Sequence, residues 1–209
     1  MSTGASIVLL IIAYLLGAIP VGVILGRVFC KKDIRTVGSG STGTTNALRA
    51  FGPKISIAVL VFDVLKGALP VIVARAFGAN PWVIGLAAVL TVVGHCWSPF
   101  IEFDGGKGVA TGGGALIALQ PWVAFALLLM LAIVVWTRYV SLGSIVTAIA
   151  IGLALSLAAL GDREPPAIAV CAVAIATIIV WRHKGNIQRL LNGSERRISL
   201  RKAAPAGVS

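Results

Sequence analysis

Long, nearly uncharged apolar runs separate short polar stretches along this chain. Ala5–Gly26, Ile55–Ala74, Pro81–Phe100, Val140–Leu160 and Ala167–Trp181 are the clearest of them. Coiled as α-helices, such runs approach the roughly 20 residues needed to cross about 30 Å of hydrocarbon. A further uncharged stretch, Gly108–Thr137, is either one over-long span or two short ones broken at Gln120-Pro121. Parity chooses between them. The segments at 27–54 and 182–202 are both strongly basic and belong on the cytoplasmic side, which requires an even number of crossings between them. Two spans within Gly108–Thr137 satisfy this, although Val109–Leu119 is then roughly half the usual length. The pattern predicts an all-α integral membrane protein with about seven transmembrane helices, the N-terminus outside and the C-terminus cytoplasmic. Gly22 and Gly26 form a small-x-x-x-small face suited to close helix packing.

Composition agrees with this picture. Of 209 residues 58% are hydrophobic, above the 45–50% or so of soluble domains, and the excess must face lipid. One membrane-embedded domain over residues 1–197 is expected, with 198–209 as a basic flexible tail at the lipid headgroups. The net charge of +11 follows the membrane rather than a nucleic acid. Apart from Arg75, Arg163 and the intramembrane Lys66, every Lys and Arg falls on the predicted cytoplasmic side. The first cations follow the first span instead of preceding it, so that span reads as an anchor and not as a cleaved leader. Cys30, Cys96 and Cys171 are far apart and never in a C-x-x-C pair, which argues against a disulfide framework or a zinc site.

The predicted topology brings three polar loops to one face. The first runs from Gly38 through Ser39, Gly40, Ser41, Thr42, Gly43, Thr44, Thr45 and Asn46 to Arg49. The second runs from Gly94-His95 to Gly105-Gly106-Lys107-Gly108. The third is Arg182-His183-Lys184-Gly185-Asn186. Each joins glycine-freed backbone N–H groups or small polar side chains to a fixed cation, a set that suits oxyanions and phosphate above all. Gly38, Gly40 and Gly43 match G-x-G-x-x-G, with Asp63 twenty residues beyond. However, no strand precedes the motif and Asp63 lies within an apolar span, so a dinucleotide site does not follow. Thr44-Thr45 replace the Lys-Ser/Thr of a P-loop, leaving an anion nest. His183 and Asn186 are i,i+3, and Arg182 and Asn186 are i,i+4, so a helix would carry all three on one face. His95 reads equally well as a structural or a catalytic histidine, and Glu102 and Asp104 as loop-structuring acids. Asp63 and Lys66, i,i+3 within a span, are expected to neutralise each other toward the bundle interior, reading equally well as a structural pair or as a support for the site. Ser141, just after Arg138-Tyr139, reads either as a group reaching the same cytoplasmic cavity or as a small packing residue. Neither histidine begins an H-x4-D motif: five residues beyond them stand Phe100 and Gln188.

These segments resemble the bacterial acyl-phosphate:glycerol-3-phosphate acyltransferase family (the PlsY type) over nearly the whole chain. The likeness is carried by Tyr14-Leu15-Leu16-Gly17, Ile19-Pro20-Val21-Gly22, Asp33-Ile34-Arg35 and Val37-Gly38-Ser39-Gly40. It continues in Thr45-Asn46 with Arg49, Asp63-Val64-Leu65-Lys66-Gly67 and Gly94-His95. The longest identities are Gly105-Gly106-Lys107-Gly108-Val109-Ala110-Thr111 and Thr137-Arg138-Tyr139-Val140-Ser141, and the likeness closes with Arg182-His183, Asn186-Ile187, Arg189-Leu190 and Gly193 to Glu195. The family pattern has Asn at the place of Ser41 and Ala at that of Thr44.

The resemblance implies a multi-pass enzyme of the bacterial inner membrane. It would move a fatty acyl group from acyl phosphate to the 1-hydroxyl of sn-glycerol 3-phosphate, giving lysophosphatidic acid and phosphate for phospholipid synthesis. On this reading His183, Asn186, Ser39 and Arg49 are catalytic. Gly38, Gly40, Gly43, Thr45, Asn46, Gly105, Gly106, Lys107, Ser141, Arg182 and Glu195 bind substrate. Lys107 and the Gly105-Gly106 turn would take the phosphate of glycerol 3-phosphate. Ser39, Thr45, Asn46 and Arg49 would hold the acyl-phosphate head, and the base is either His183 or a substrate phosphate oxygen. The donor is already activated, so no cofactor, metal or protein nucleophile is required. Expected partners are the two substrates and membrane lipids, without nucleic acid; the residues leave the oligomeric state open. The competing class is an organic-phosphate transporter, but the spans lack obvious inverted repeats and gather their polar groups on one side.

Overall fold

Pro20, Gln120-Pro121 and Pro165-Pro166 stand where the chain must stop or restart a helix, since proline offers no N–H to the preceding turn. The computed structural model describes residues 1–198, and among them every regular element is helical. The elements are α1 (Thr3–Ala18), α2 (Val21–Cys30), α3 (Thr44–Phe51), α4 (Pro53–Ala76), α5 (Pro81–Cys96), α6 (Val109–Leu119), α7 (Ala126–Thr137), α8 (Val140–Leu160), α9 (Pro166–Arg182) and α10 (Lys184–Leu191). Short 3-10 turns occupy Ile34–Thr36, Pro99–Ile101 and Pro121–Phe125. The expected tail, apart from Ile198, lies outside the described residues.

Among the described residues four helical stretches are long and apolar enough to cross a membrane: Thr3–Cys30, Pro53–Ala76, Pro81–Ile101 and Val140–Leu160. A fifth arises if α9 and α10, bent by 58° at His183, count as one. The awkward Gly108–Thr137 stretch divides at Gln120-Pro121 as its sequence suggests. Its two parts, Val109–Leu119 and Pro121–Thr137, are both shorter than a standard span. The first span differs from expectation. It runs from Thr3 to Cys30 but breaks at Ile19-Pro20, and the Ile19 carbonyl freed there accepts from Lys66 Nζ at 2.9 Å.

Glycine lets the helices touch backbone to backbone. A Cβ on Gly67 of α4 would lie 2.0 Å from the Thr111 carbonyl of α6, and one on Gly114 of α6 2.1 Å from the Val64 carbonyl. Gly17 and Gly94 make the same approach between α1 and α5, at 2.1 Å and 2.2 Å from opposing carbonyls. Gly22 and Gly26 instead lie under the first loop, against the Thr42 carbonyl and the Phe51 ring, so their small face seats α3 and not a transmembrane partner. A core of Val71, Val92, Leu116, Leu119, Leu155 and Ile175 ties α4, α5, α6, α8 and α9 together. The outer faces stay apolar. α7 buries none of its residues, and Trp136 is 89% exposed, a distribution suited to lipid rather than water.

Candidate active site

The first loop is held by one amide. Asn46, in the first turn of α3 and 2% exposed, accepts from the Ser39 N–H through Oδ1 at 2.9 Å. Its Nδ2 donates to the carbonyls of Ile34, Val37 and Ser41 at 3.1, 2.9 and 2.9 Å. Gly38, at φ +66°, passes so close that a Cβ would sit 2.2 Å from Asn46 Oδ1. Asn46 is therefore committed to the shape of the loop. Ser39 is exposed at its tip, Gly40 follows at φ +73°, and Thr45 is half-buried in the first turn of α3. Gly43 starts α3, and no side chain caps the helix there. Asp33 anchors the approach by binding Arg27 and Arg35 at 2.8 and 2.9 Å. The Arg35 hydrogen bond is the main cause that holds the Asp33 carboxyl well below the ordinary carboxylate range.

The second loop is fastened at both ends. Gly105 and Gly106 donate their N–H groups to the carbonyls of Cys96 and His95, both at 3.1 Å. Arg182, at the end of α9, reaches over them, with Nε donating to the Gly106 carbonyl at 3.0 Å and Nη2 to that of Gly105 at 2.9 Å. Its guanidinium also stacks 5.6 Å from the Trp97 ring centroid. The sequence suggested Arg182 as a substrate cation; in the structure it first grips the loop that carries another one. Asp104, largely exposed, lies 3.4 Å from the same guanidinium, while Glu102 and Phe103 turn the chain at positive φ.

That other cation is Lys107. Its Nζ stands 2.6 Å from Asn186 Oδ1 on α10. Asn186 Nδ2 donates to Glu195 Oε1 at 2.7 Å, Ser141 Oγ donates to the same oxygen at 2.7 Å, and Arg189 Nε donates to Oε2 at 2.8 Å. Glu195 thus joins the start of α8, both ends of the third loop's helix and the second loop. Burial pushes its carboxyl up, but the bonds from Asn186, Ser141 and Arg189 outweigh this and leave it below the ordinary value. Burial lowers Lys107 to about 8, opposed by the attraction of Glu195 and helped by Arg189, Arg49 and Arg182. Arg49, exposed on α3, stands in the field of Arg196, Glu195 and Arg189. All three loops therefore meet electrostatically around Lys107 and Glu195.

His183 is 2% exposed at the bend between α9 and α10. Its Nδ1 lies 2.7 Å from the Ile179 carbonyl, which can only accept, so the neutral ring carries its proton there and leaves Nε2 as an acceptor. Burial lowers its pKa to about 4. Among the described residues no group of three or more His, Cys, Asp or Glu side chains comes together. One participant escaped the sequence-derived site: Arg189, three residues beyond Asn186 and paired with Glu195. Its helical i,i+3 spacing from Asn186 was the available signal.

Lys107, Arg49, Arg182 and Arg189 thus outnumber Glu195 in a net-cationic recess at one end of the apolar bundle. The profile described as Glycerol-3-phosphate acyltransferase matches residues 7–193. The chain belongs to the glycerol-3-phosphate acyltransferase family. A relative of that name from Thermus thermophilus is 44% identical over 201 residues, covering 96% of this chain and 98% of the relative. Another, from Rubrobacter xylanophilus, is 41% identical and covers 91% and 94%. The fold matches the crystal structure of PlsY (YgiH), an integral membrane glycerol 3-phosphate acyltransferase, in its glycerol 3-phosphate form. The TM-score is 0.87 at 41% identity, over 93% of this chain and 96% of that one. Its lysophosphatidic acid form matches at a TM-score of 0.84 and 40% identity. The chain is accordingly an acyltransferase and an integral membrane protein.

Proposed function

We propose that the protein transfers a fatty acyl group from acyl phosphate to the 1-hydroxyl of sn-glycerol 3-phosphate, releasing lysophosphatidic acid and inorganic phosphate. The observation that carries this reading is the meeting of Lys107 and Asn186 at 2.6 Å beside Arg49, Arg182 and Arg189. Both reactants are anions, so their encounter needs a surplus of fixed positive charge, which this recess supplies. The glycerol 3-phosphate and lysophosphatidic acid forms of the similar PlsY support the acceptor and the product.

Lys107 takes the acceptor phosphate, held in place by the Gly105-Gly106 turn, whose own N–H groups are spent on the Cys96 and His95 carbonyls, with Ser141 and Asn186 orienting it. Ser39, Thr45 and Arg49 hold the donor head and stabilise the oxyanion, on a loop whose shape Gly38, Gly40 and Gly43 set, the Gly40 and Gly43 N–H groups being spent on Val37 and Ser41. Asn46, Arg182 and Glu195 act by shaping these groups. The acceptor hydroxyl oxygen attacks the acyl carbonyl carbon. The bond from that carbon to the phosphate oxygen breaks, and phosphate leaves with the electron pair. The hydroxyl proton passes to the departing phosphate. The oxygen of that phosphate, which gains the electron pair as its bond to carbon breaks, is a stronger base than His183 at about 4. His183 Nε2 is left to accept from the attacking hydroxyl and orient it.

The membrane arrangement belongs to the same proposal. Residues 1–197 form one domain with seven crossings, α6 and α7 being short ones, in the bacterial inner membrane. The N-terminus is outside, and the recess and the C-terminus are cytoplasmic. The short α6 begins beside Lys107, at the face where a water-soluble substrate must enter.

Purified protein in proteoliposomes tests the reading. Glycerol 3-phosphate with acyl phosphate should yield lysophosphatidic acid, and acyl-CoA alone should not. Product from acyl-CoA alone would defeat the donor assignment. Uptake of the phosphate ester without ester synthesis would defeat the whole reading.

A further inference from the structure

Within the apolar bundle lies a charged group that the proposed chemistry leaves unused. Asp63 and Lys66 of α4 are 2% and 6% exposed, and Lys66 Nζ stands 2.8 Å from Asp63 Oδ1. Lys66 also donates to the Ile19 carbonyl at the α1–α2 break, at 2.9 Å. His95, buried at the end of α5, turns Nδ1 toward the same Asp63 oxygen at 3.7 Å. The opposite edge of its ring lies beneath the second loop, where a Cβ on Gly106 would fall 2.1 Å from Nε2. The His95 carbonyl accepts the Gly106 N–H as well. One residue therefore supports Gly106 with both its ring and its backbone, and the next residue in the chain is Lys107.

A buried ion pair is a poor source of stability, because removing two charges from water offsets their attraction. Inside a membrane, ionisable groups are expensive and tend to serve a site. This pair lies where three site-bearing pieces join. It binds the α1–α2 break that leads to the first loop. It faces the histidine under the second loop. It also adjoins Gly67, where α4 touches α6 just beyond Lys107.

We propose that Asp63, Lys66 and His95 are positioning residues that set the height of the Gly105–Lys107 loop, and hence the placement of Lys107 against the substrate phosphate. The substrate in this statement rests on the proposed acyl transfer. The three act through Gly106 and make no contact with the reacting atoms.

The test measures equilibrium binding of glycerol 3-phosphate to purified full-length protein without any donor, alongside turnover and thermal melting. His95→Ala is expected to weaken binding and raise KM about tenfold or more, as small misplacements of a binding group do, with kcat less affected. His95→Gln, whose amide reaches the depth of Nε2 under Gly106, should recover affinity to within about threefold of wild type. The double variant Asp63→Leu/Lys66→Met removes the pair without stranding one charge, and should show the same binding loss while remaining folded. His95→Ala with wild-type affinity overturns the proposal. So does a binding loss that tracks melting temperature through every variant, with no rescue by Gln. The two His95 variants decide the matter even if the double variant fails to fold. Wild type that binds glycerol 3-phosphate yet makes no ester from acyl phosphate would sink the donor assignment and leave this test standing.

Discussion

Lys107 and Asn186 meet at 2.6 Å across 79 residues of sequence, and an amide rather than a carboxylate receives the ammonium. Asn186 spends its carbonyl oxygen on Lys107 and its Nδ2 on Glu195, so the lysine is linked to the acid through one intervening side chain. An ammonium has three N–H donors, and this arrangement leaves two for an incoming phosphate. A direct Lys–Glu pair would have neutralised the charge on which anion binding depends.

The first prediction concerns pH. Burial is the main cause that lowers Lys107 to about 8, and the charged form is the protonated one. Raising pH through about 8 therefore removes the positive charge, and kcat/KM for glycerol 3-phosphate should fall there, reporting the free enzyme. Lys107→Arg keeps its charge and should carry activity to higher pH, at a lower plateau because a planar fork replaces a compact ammonium. Lys107→Met should lose on the order of 10²–10³ in kcat/KM. An alkaline limb unmoved by Lys107→Arg would show that another group titrates there.

Glu195→Gln tests the hub. The carboxylate attracts Lys107 and so raises its proton affinity. Without it the alkaline limb of the kcat/KM profile should move below 8. Ser141 and Asn186 can still donate to the amide oxygen, but Arg189 loses its ionic partner. Because Arg189 is 43% exposed, the stability lost should be modest, about 1–2 kcal/mol. A limb that moves upward would contradict the assigned coupling.

The long apolar helices and the break at Gln120-Pro121 were legible because helical period and proline chemistry are local, whereas the 58° bend at His183, which parts Arg182 from the helix that carries Asn186, was not. The Ile19-Pro20 break was not, since an uninterrupted apolar run hides a discontinuity whose freed carbonyl is satisfied by Lys66, 47 residues away. Arg182 and Asn46 stand out in the sequence as candidate substrate-binding groups, but sequence gives no means of telling a ligand from its support. Both are committed to loop carbonyls, a fact that depends on which backbone oxygens lie within reach after folding. Gly22 and Gly26 show the same limit. Small residues mark a close approach without naming what approaches.

Asn46→Asp should disable the first loop despite its near-identical size. The new oxygen cannot donate to the Ile34, Val37 and Ser41 carbonyls and would face all three as a second acceptor. A buried acceptor left so placed should cost on the order of 3 kcal/mol, and turnover should fall by about 10² as the donor site loses its shape. The melting temperature and kcat, with KM for acyl phosphate, check this. Near-normal turnover would mean that the loop is held by other contacts.

Two glycines of similar local conformation should respond oppositely to the same substitution. Gly67 of α4 faces the Thr111 carbonyl, where a methyl group would stand 2.0 Å from oxygen, closer than real Cβ atoms approach. Gly67→Ala must push α4 away from α6, and overpacking of this sort costs about 1–3 kcal/mol or more. The shift also moves Lys66 and the start of α6 beside Lys107, so catalytic efficiency should fall with stability. Gly113 of α6 has nothing within 4 Å of the same position. Gly113→Ala should therefore be neutral or stabilise by up to about 1 kcal/mol through helix propensity, with activity unchanged. Melting in detergent with parallel turnover separates the two. Equal behaviour would mean that α4 and α6 are not held at backbone contact in the working enzyme.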